Sequence, residues 1–167
     1  MKSKKIILCM VTALVLLLQF NSSVLAATKD NSKKYTSKDV KLLACLIYTE
    51  AGNQPYKGKV AVGNVIVNRV KSKKFNHVNT IKEVIYDNKW CVQFGVTKGG
   101  SKSPYAKAYK NYASLKKTKQ MKSCIKAAKA ALSGKNVVGS RLSFTRYSKK
   151  LARQHKNYIK ISGHIFY

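Results

Sequence analysis

Acidic side chains are scarce in this chain: 167 residues hold five Asp and Glu against 34 Lys and Arg, for a formal net charge of +29. Chemistry that needs a cluster of carboxylates is excluded, so any acid placed in an apolar setting has to be explained. Histidine is rarer still. His77, His155 and His164 form no His-Glu-x-x-His pattern, which argues against a zinc hydrolase, and no metal or other cofactor is expected. Cysteine is sparse too: Cys45, Cys91 and Cys124 follow residue 26, an odd set without the paired spacing of a disulfide framework or zinc site, so at most one bridge could form among them. Cys45, among Leu and Ile, reads as a small core hydrophobe. The apolar run over 6–20 is too short to cross a bilayer comfortably, and no internal repeat is visible.

That run follows the basic stretch Met1-Lys2-Ser3-Lys4-Lys5 and precedes Val24-Leu25-Ala26, whose small residues suit a cleavage site. Residues 1–26 therefore read as a signal peptide and the protein as exported, without a stable membrane span once it is removed. Residues 27–37 read as a flexible basic lead-in and 38–167 as one domain. The surplus of lysine creates a field that attracts polyanions. Export and the dispersal of the lysines along the chain, with no aromatic-basic module, argue against nucleic acid and leave acidic lipids or anionic wall polymers.

Thr36 and Asp39 form a capping-box pattern, and Leu42 to Thr49 is an apolar helical run stopped by Gly52. Val60 to Val70 reads as a second, buried helix with Asn64, Asn68 and Arg69 on one side. Thr80-Ile81-Lys82-Glu83 opens a short third helix, which gives Glu83 a capping role. Trp90 to Phe94 reads as extended or strand-like, and Gly95 to Ser101 as a turn. Ser103-Pro104 starts another helix, and a stripe from Met121 to Leu132, ended by Gly134, a longer one. Alternation over 142–145 and 158–161, then a Ser162-Gly163 turn before 164–167, predicts strands. The fold class is α+β: a mainly helical domain with a small antiparallel sheet.

Glu50 is the acid that needs explaining. In a helix Leu43, Ile47 and Glu50 share the inward face, and burial together with the negative end of the helix dipole should raise the carboxyl's pKa and make it a candidate general acid. The alternative is a helix-end Glu paired with one of the many cations. Asp30 lies in the lead-in and Asp39 and Glu83 at caps, which leaves Asp87 as a possible second carboxyl.

Leu42-Leu43-Ala44 to Tyr48-Thr49-Glu50-Ala51-Gly52, Pro55-Tyr56-Lys57-Gly58-Lys59-Val60-Ala61-Val62, Val65-Ile66-Val67-Asn68-Arg69-Val70, Gln93-Phe94 and the closing Gly163-His164-Ile165-Phe166-Tyr167 together resemble the spore cortex-lytic cell wall hydrolases of the SleB and CwlJ type. The resemblance covers roughly 38–167. It implies a lysozyme-like, lytic-transglycosylase-like fold, peptidoglycan glycan strands as substrate, the cell wall, spore cortex or exterior as location, and Glu50 as the catalytic residue. Water-using glycosidases normally need two carboxyls, whereas a lytic transglycosylase can use one. Tyr48, Asn68 and Gln93 are candidates for binding sugar hydroxyls and acetamido groups, and Tyr56, Trp90 and Phe94 for stacking on sugar faces, each against the alternative of ordinary packing or core hydrogen bonding. Asn53-Gln54 departs from the pair more usual in that family, 146–157 does not map onto it, and the peptidoglycan-binding domain many relatives carry is not read here, so the positive charge is expected to serve wall retention. Two rival classes stay open: an amidase or stem-peptide hydrolase, and a non-catalytic cationic wall-binding protein.

Overall fold

The structure, a computed structural model, describes residues 35–167; the signal peptide read over 1–26 and most of the lead-in read over 27–37 lie outside the described residues. Helix α1 (Ser37–Ala51) starts at the capping box, with Thr36 accepting from the Asp39 amide while the Asp39 carboxylate accepts from the Thr36 amide at 2.8 Å. Leu42 to Ile47 are buried without a break, so α1 is enclosed on nearly every side. Each such Leu or Ile contributes about 1.5–3 kcal/mol by leaving water. Its neighbours are α2 (Tyr56–Lys71), α3 (Ile81–Tyr86), α4 (Pro104–Lys110) and α6 (Lys119–Leu132); the short α5 (Tyr112–Leu115) links the last two.

Gly63 sits where α2 meets α1 and α6. A Cβ there would stand 3.0 Å from the Ala131 Cβ and 3.3 Å from Ile47 Cδ1, so the close approach depends on glycine. The two other predicted caps are present: Thr80 and Glu83 close a capping box on α3, and Ser103 accepts from the Ala106 amide with Pro104 at the first position of α4. Gly134 follows α6 at φ +94°, a left-handed stop.

The chain then forms β1 (Phe144–Arg146), α7 (Lys149–Gln154), β2 (Ile159–Ile161) and β3 (His164–Phe166). Strand β3 is central and antiparallel to both others, with Phe144 opposite Phe166, Arg146 and Ile161 opposite His164, and Ile159 opposite Phe166. Those residues share one face, and Phe166 and Ile161 join the helical core through it. Helix α7, capped by Ser148, lies in the stretch that the family resemblance left unmapped. Trp90–Gln93 forms bends and no strand, a correction to the strand-like reading; the Gln93 amide donates to the Asp87 carbonyl at 3.3 Å, folding the segment back on itself.

Segment 135–142, which leads into β1, has no regular structure and is held by the polar stripe of α2. Asn64 donates to the Lys135 carbonyl at 2.6 Å and accepts from the Val137 amide at 2.9 Å. Asn68 donates to the Gly139 and Arg141 carbonyls at 2.7 and 2.8 Å, and Arg69 Nε to the Leu142 carbonyl at 2.7 Å. Five backbone groups without sheet or helix partners are thereby satisfied from one helix face. Asn64→Ala strips a carbonyl and an amide of their partners at once and should lower stability by about 1–3 kcal/mol in urea unfolding. A change under about 0.5 kcal/mol would mean the segment keeps its path without this clamp.

Candidate functional site

Glu50 lies in the last turn of α1, half-buried, and faces a cleft of about 270 Å³. Arg69, Gln93, Phe94, Phe144, Arg146 and His164 form the rest of its wall, with Gly95 and Thr145. Three stretches distant in sequence meet here: the ends of α1 and α2, the loop around Gln93 and Phe94, and the sheet.

Arg69 ties those stretches together. Its guanidinium is buried, donates to the Leu142 carbonyl and to Gln93 Oε1 at 3.0 Å, and lies over the rings of Phe75 and Phe94 at 4.8 and 5.3 Å. Burial lowers its pKa, opposed by the nearby Asp87 charge. A guanidinium so placed orients the Gln93 amide, whose Nε2 donates to the Cys91 carbonyl at 3.2 Å. Phe94 in turn meets Phe144 at 6.3 Å, which stations β1 against the loop.

Among the described residues Glu50 has no hydrogen-bond partner and no cation within ion-pairing distance, although Arg69 and Arg146 share its cleft. The reading of Glu50 as a paired helix-end acid does not describe this geometry. Desolvation by burial raises its carboxyl above the usual range. Across the cleft, His164 is shifted the other way: burial and then the Arg146 cation lower its pKa, favouring neutral imidazole. Its ring meets the edge of Phe144 at 5.7 Å and 83°. The cleft thus disfavours charge on both titrating groups.

Of the residues expected at the site, the structure brings Gln93 and Phe94 to Glu50 and places the others elsewhere. Tyr48, two positions before Glu50 and so about 200° round the helix, packs against the core. Asn68 spends its amide on the 139 and 141 carbonyls. The Tyr56 ring lies under Lys126 and Lys135 at 5.6 and 5.7 Å. Trp90 is 58% exposed and packs edge-on to Phe75 and His77. Asp87, the possible second carboxyl, lines a separate, more open hollow of about 540 Å³, where it lies 3.1 Å from His77 Nε2 and accepts from the Lys89 amide. Among the described residues Glu50 therefore supplies the one carboxyl that faces this cleft. Arg69, Arg146 and His164 were not anticipated there. His164 had a usable signal, a rare polar side chain on an otherwise apolar strand face.

Of the three thiols among the described residues, Cys45 and Cys124 are buried and Cys91 is exposed. Among the described residues no three His, Cys, Asp or Glu side chains converge on one point. Burial pushes the Cys45 thiol up to about 12 and Cys124 to about 11, far from a reactive thiolate.

Comparison with known proteins agrees with this architecture. The Cell Wall Hydrolase family model matches residues 53–167, beginning just beyond Glu50. Spore cortex-lytic enzymes of Bacillus cereus and Bacillus subtilis are 43% and 40% identical over 53 residues, 32% of this chain but only 20% and 17% of those proteins. The aligned stretch thus spans about a fifth of the curated relatives it matches. Among solved structures, the catalytic domain of the germination-specific lytic transglycosylase SleB from Bacillus anthracis superposes with a TM-score of 0.53 at 26% identity, covering 80% of this chain and 97% of that one. The SleB catalytic domain from Bacillus cereus gives 0.51 at 27% identity, covering 80% and 92%.

A raised carboxyl favours folding only while it is protonated. Stability linked to Glu50 is full below the ordinary Glu value of about 4.3 and falls as pH rises through the higher folded-state value. Glu50→Gln should therefore melt at a higher temperature than wild type at pH 8, with the gap closing near pH 3.5. An equal or lower melting temperature at pH 8 would show that the carboxylate is not disfavoured where it sits.

Proposed function

The chain belongs to the cell wall hydrolase family, and on that premise we propose that it is an exported peptidoglycan-lytic enzyme that cuts the glycan strand between N-acetylmuramic acid and N-acetylglucosamine, with Glu50 as general acid and then base. The observation that carries this reading is the state of Glu50: desolvated and, among the described residues, both unpaired and the one carboxyl facing its cleft. The lytic transglycosylase SleB, whose catalytic domain shares the fold, makes the single-carboxyl route the natural choice.

In that route protonated Glu50 gives its proton to the glycosidic oxygen as the bond to C1 of the muramic sugar breaks. The resulting carboxylate takes the proton of the same sugar's 6-hydroxyl as that oxygen bonds to C1. The product is a 1,6-anhydro end, no water is consumed, and Glu50 returns to its protonated state. Its raised pKa keeps it loaded as an acid closer to neutrality than a free carboxyl. Arg69 holds Gln93 at the rim, and Phe94 and Phe144 offer apolar surface to a sugar ring. Cortex is the substrate suggested by the spore cortex-lytic relatives. Export rests on the reading of residues 1–26, and the net charge of +29 draws the protein to anionic wall polymers.

Amidase and stem-peptide chemistry lack support in the cleft, where the described residues supply no ligand cluster and no thiol. A purely binding role gives no reason to keep an unpaired carboxyl out of water. Soluble muropeptides released from purified cortex and vegetative peptidoglycan are to be weighed by mass spectrometry, with Glu50→Gln in parallel. Wild type should release fragments one water lighter than the hydrolytic products, and the variant should be at least about 10³-fold slower, as loss of a positioned general acid and base requires. Fully hydrated disaccharides, freed peptides or an active variant would overturn the proposal.

A further inference from the structure

Exposed apolar surface is concentrated in one place. Among the described residues the large hydrophobic side chains that face solvent are Tyr86, Trp90 and Val92, all within 86–92. A cluster of this kind marks a surface that meets a ligand. Trp90 is the most open of the three, although an indole has more apolar area to bury than almost any other side chain.

The ring is braced. Its centroid lies 5.7 Å from that of Phe75 and 4.9 Å from that of His77, near perpendicular to both, and those two rings stack on each other. Phe75 is buried, and His77 Nε2 lies 3.1 Å from the buried Asp87 carboxylate. Asp87 also fixes the bend that carries Trp90: its carboxylate accepts from the Lys89 amide at 3.0 Å and its carbonyl from the Gln93 amide at 3.3 Å. Both ring nitrogens of His77 and Oδ2 of Asp87 are sealed from solvent, so this pair props the indole and meets no ligand itself. An aromatic side chain held in place before binding loses little freedom when a ligand covers it. The hollow of about 540 Å³ opens next to it, with exposed Thr80, Lys82, Asn88 and Lys89 in its wall. Glu83, in the same wall, accepts from the Asn79 and Thr80 amides.

Two links join this platform to the Glu50 cleft. Phe75 contacts both Trp90 and the Arg69 guanidinium, which lines the cleft. Gln93, on the cleft rim, is three residues beyond Trp90. A glycan strand that leaves the cleft past Arg69 and Gln93 meets the indole next. We propose that Trp90 and the hollow beside it form a second subsite for the strand, where an N-acetylated sugar ring that is not being cut stacks on the indole and turns its hydroxyl and acetamido groups to Thr80, Asn88 and the two lysines. A pyranose has an apolar C–H face within a polar rim, which suits an indole ringed by donors. An apolar protein segment would leave those polar groups facing it unsatisfied. The subsite breaks no bond; it holds the strand in register while Glu50 acts. This inference rests on the glycan-cutting reading above and adds a holding site to it.

Trp90 is the chain's one tryptophan, so its emission reports on this site alone. The test titrates Glu50→Gln protein with glycan strands solubilised from purified peptidoglycan, in salt high enough to screen the lysines, while calorimetry follows saturation. Emission should move to the blue, and quenching by acrylamide should fall several-fold as sugar covers the indole. With Glu50 in place, Trp90→Ala should raise KM on the same strands about tenfold with kcat little changed, as loss of uniform binding does, and Trp90→Phe should recover most of that loss. A purely structural role for Trp90 predicts instead no shielding by strands, and a fall in kcat as Gln93 shifts in the alanine variant. An indole still open to acrylamide at saturation overturns the inference. The lytic reading then stands if wild type releases anhydro fragments, and falls with it if wild type releases none.

Discussion

The fold around the cleft depends on one helix face feeding hydrogen bonds to a long stretch of loop. Segment 135–142 runs beside α2 without regular structure, and Asn64, Asn68 and Arg69 satisfy its carbonyls and one amide directly. Through that path β1 arrives against Phe94 and the central strand brings His164 to Glu50. A second tie closes the other side: Gln54, just beyond α1, accepts from the Gly163 amide at 3.2 Å, and its own carbonyl accepts from buried Lys59. The cleft is therefore held through polar contacts between irregular segments, while the hydrophobic helices supply a frame that α1 runs through. Loss of an apolar contact in that frame would cost stability broadly. Loss of Arg69 would open the cleft.

The electrostatics of the site run against those of the molecule. A chain of +29 surrounds its acids with cations, and a carboxyl on the surface would find one. Glu50 does not, because the end of α1 removes it from water while Arg69 is committed to Gln93 and the Leu142 carbonyl. That commitment matters, since a guanidinium free to swing onto Glu50 would pull its pKa down and remove the acid. The same desolvation lowers His164, so the cleft disfavours charge on its acid and on its base alike within a strongly basic protein.

Local rules carried much of the fold. The capping boxes at Thr36 and Thr80, the Ser103-Pro104 start and the Gly134 stop are decided within four residues and stand where they were placed, whereas α2 begins at Tyr56, ahead of the Val60 start read from the sequence. Glu50 was legible because an acid on the apolar face of a helix in an acid-poor chain has few bland explanations. Gln93 and Phe94 reached the cleft, but Tyr48, Tyr56, Asn68 and Trp90 did not, for one shared reason. Which side of an element faces a cleft depends on what packs against the other side. Tyr48 lies on a helix with neighbours nearly all round, and Asn68 was claimed by a loop seventy residues away, a pairing no local pattern encodes. Arg146 and His164 escaped notice because β1 and β3 become neighbours of Glu50 only after that loop has been tied down.

The central claim is that burial outweighs the surrounding positive charge at Glu50. The most direct measurement is a carboxyl carbon-13 NMR titration of the protein, with the Glu50 resonance assigned by its loss in Glu50→Gln. The account predicts a midpoint well above the ordinary Glu value of about 4.3. A midpoint at or below it would mean that the cations of the chain reach the carboxyl after all, and that Glu50 stands ionised and cannot begin the reaction as an acid.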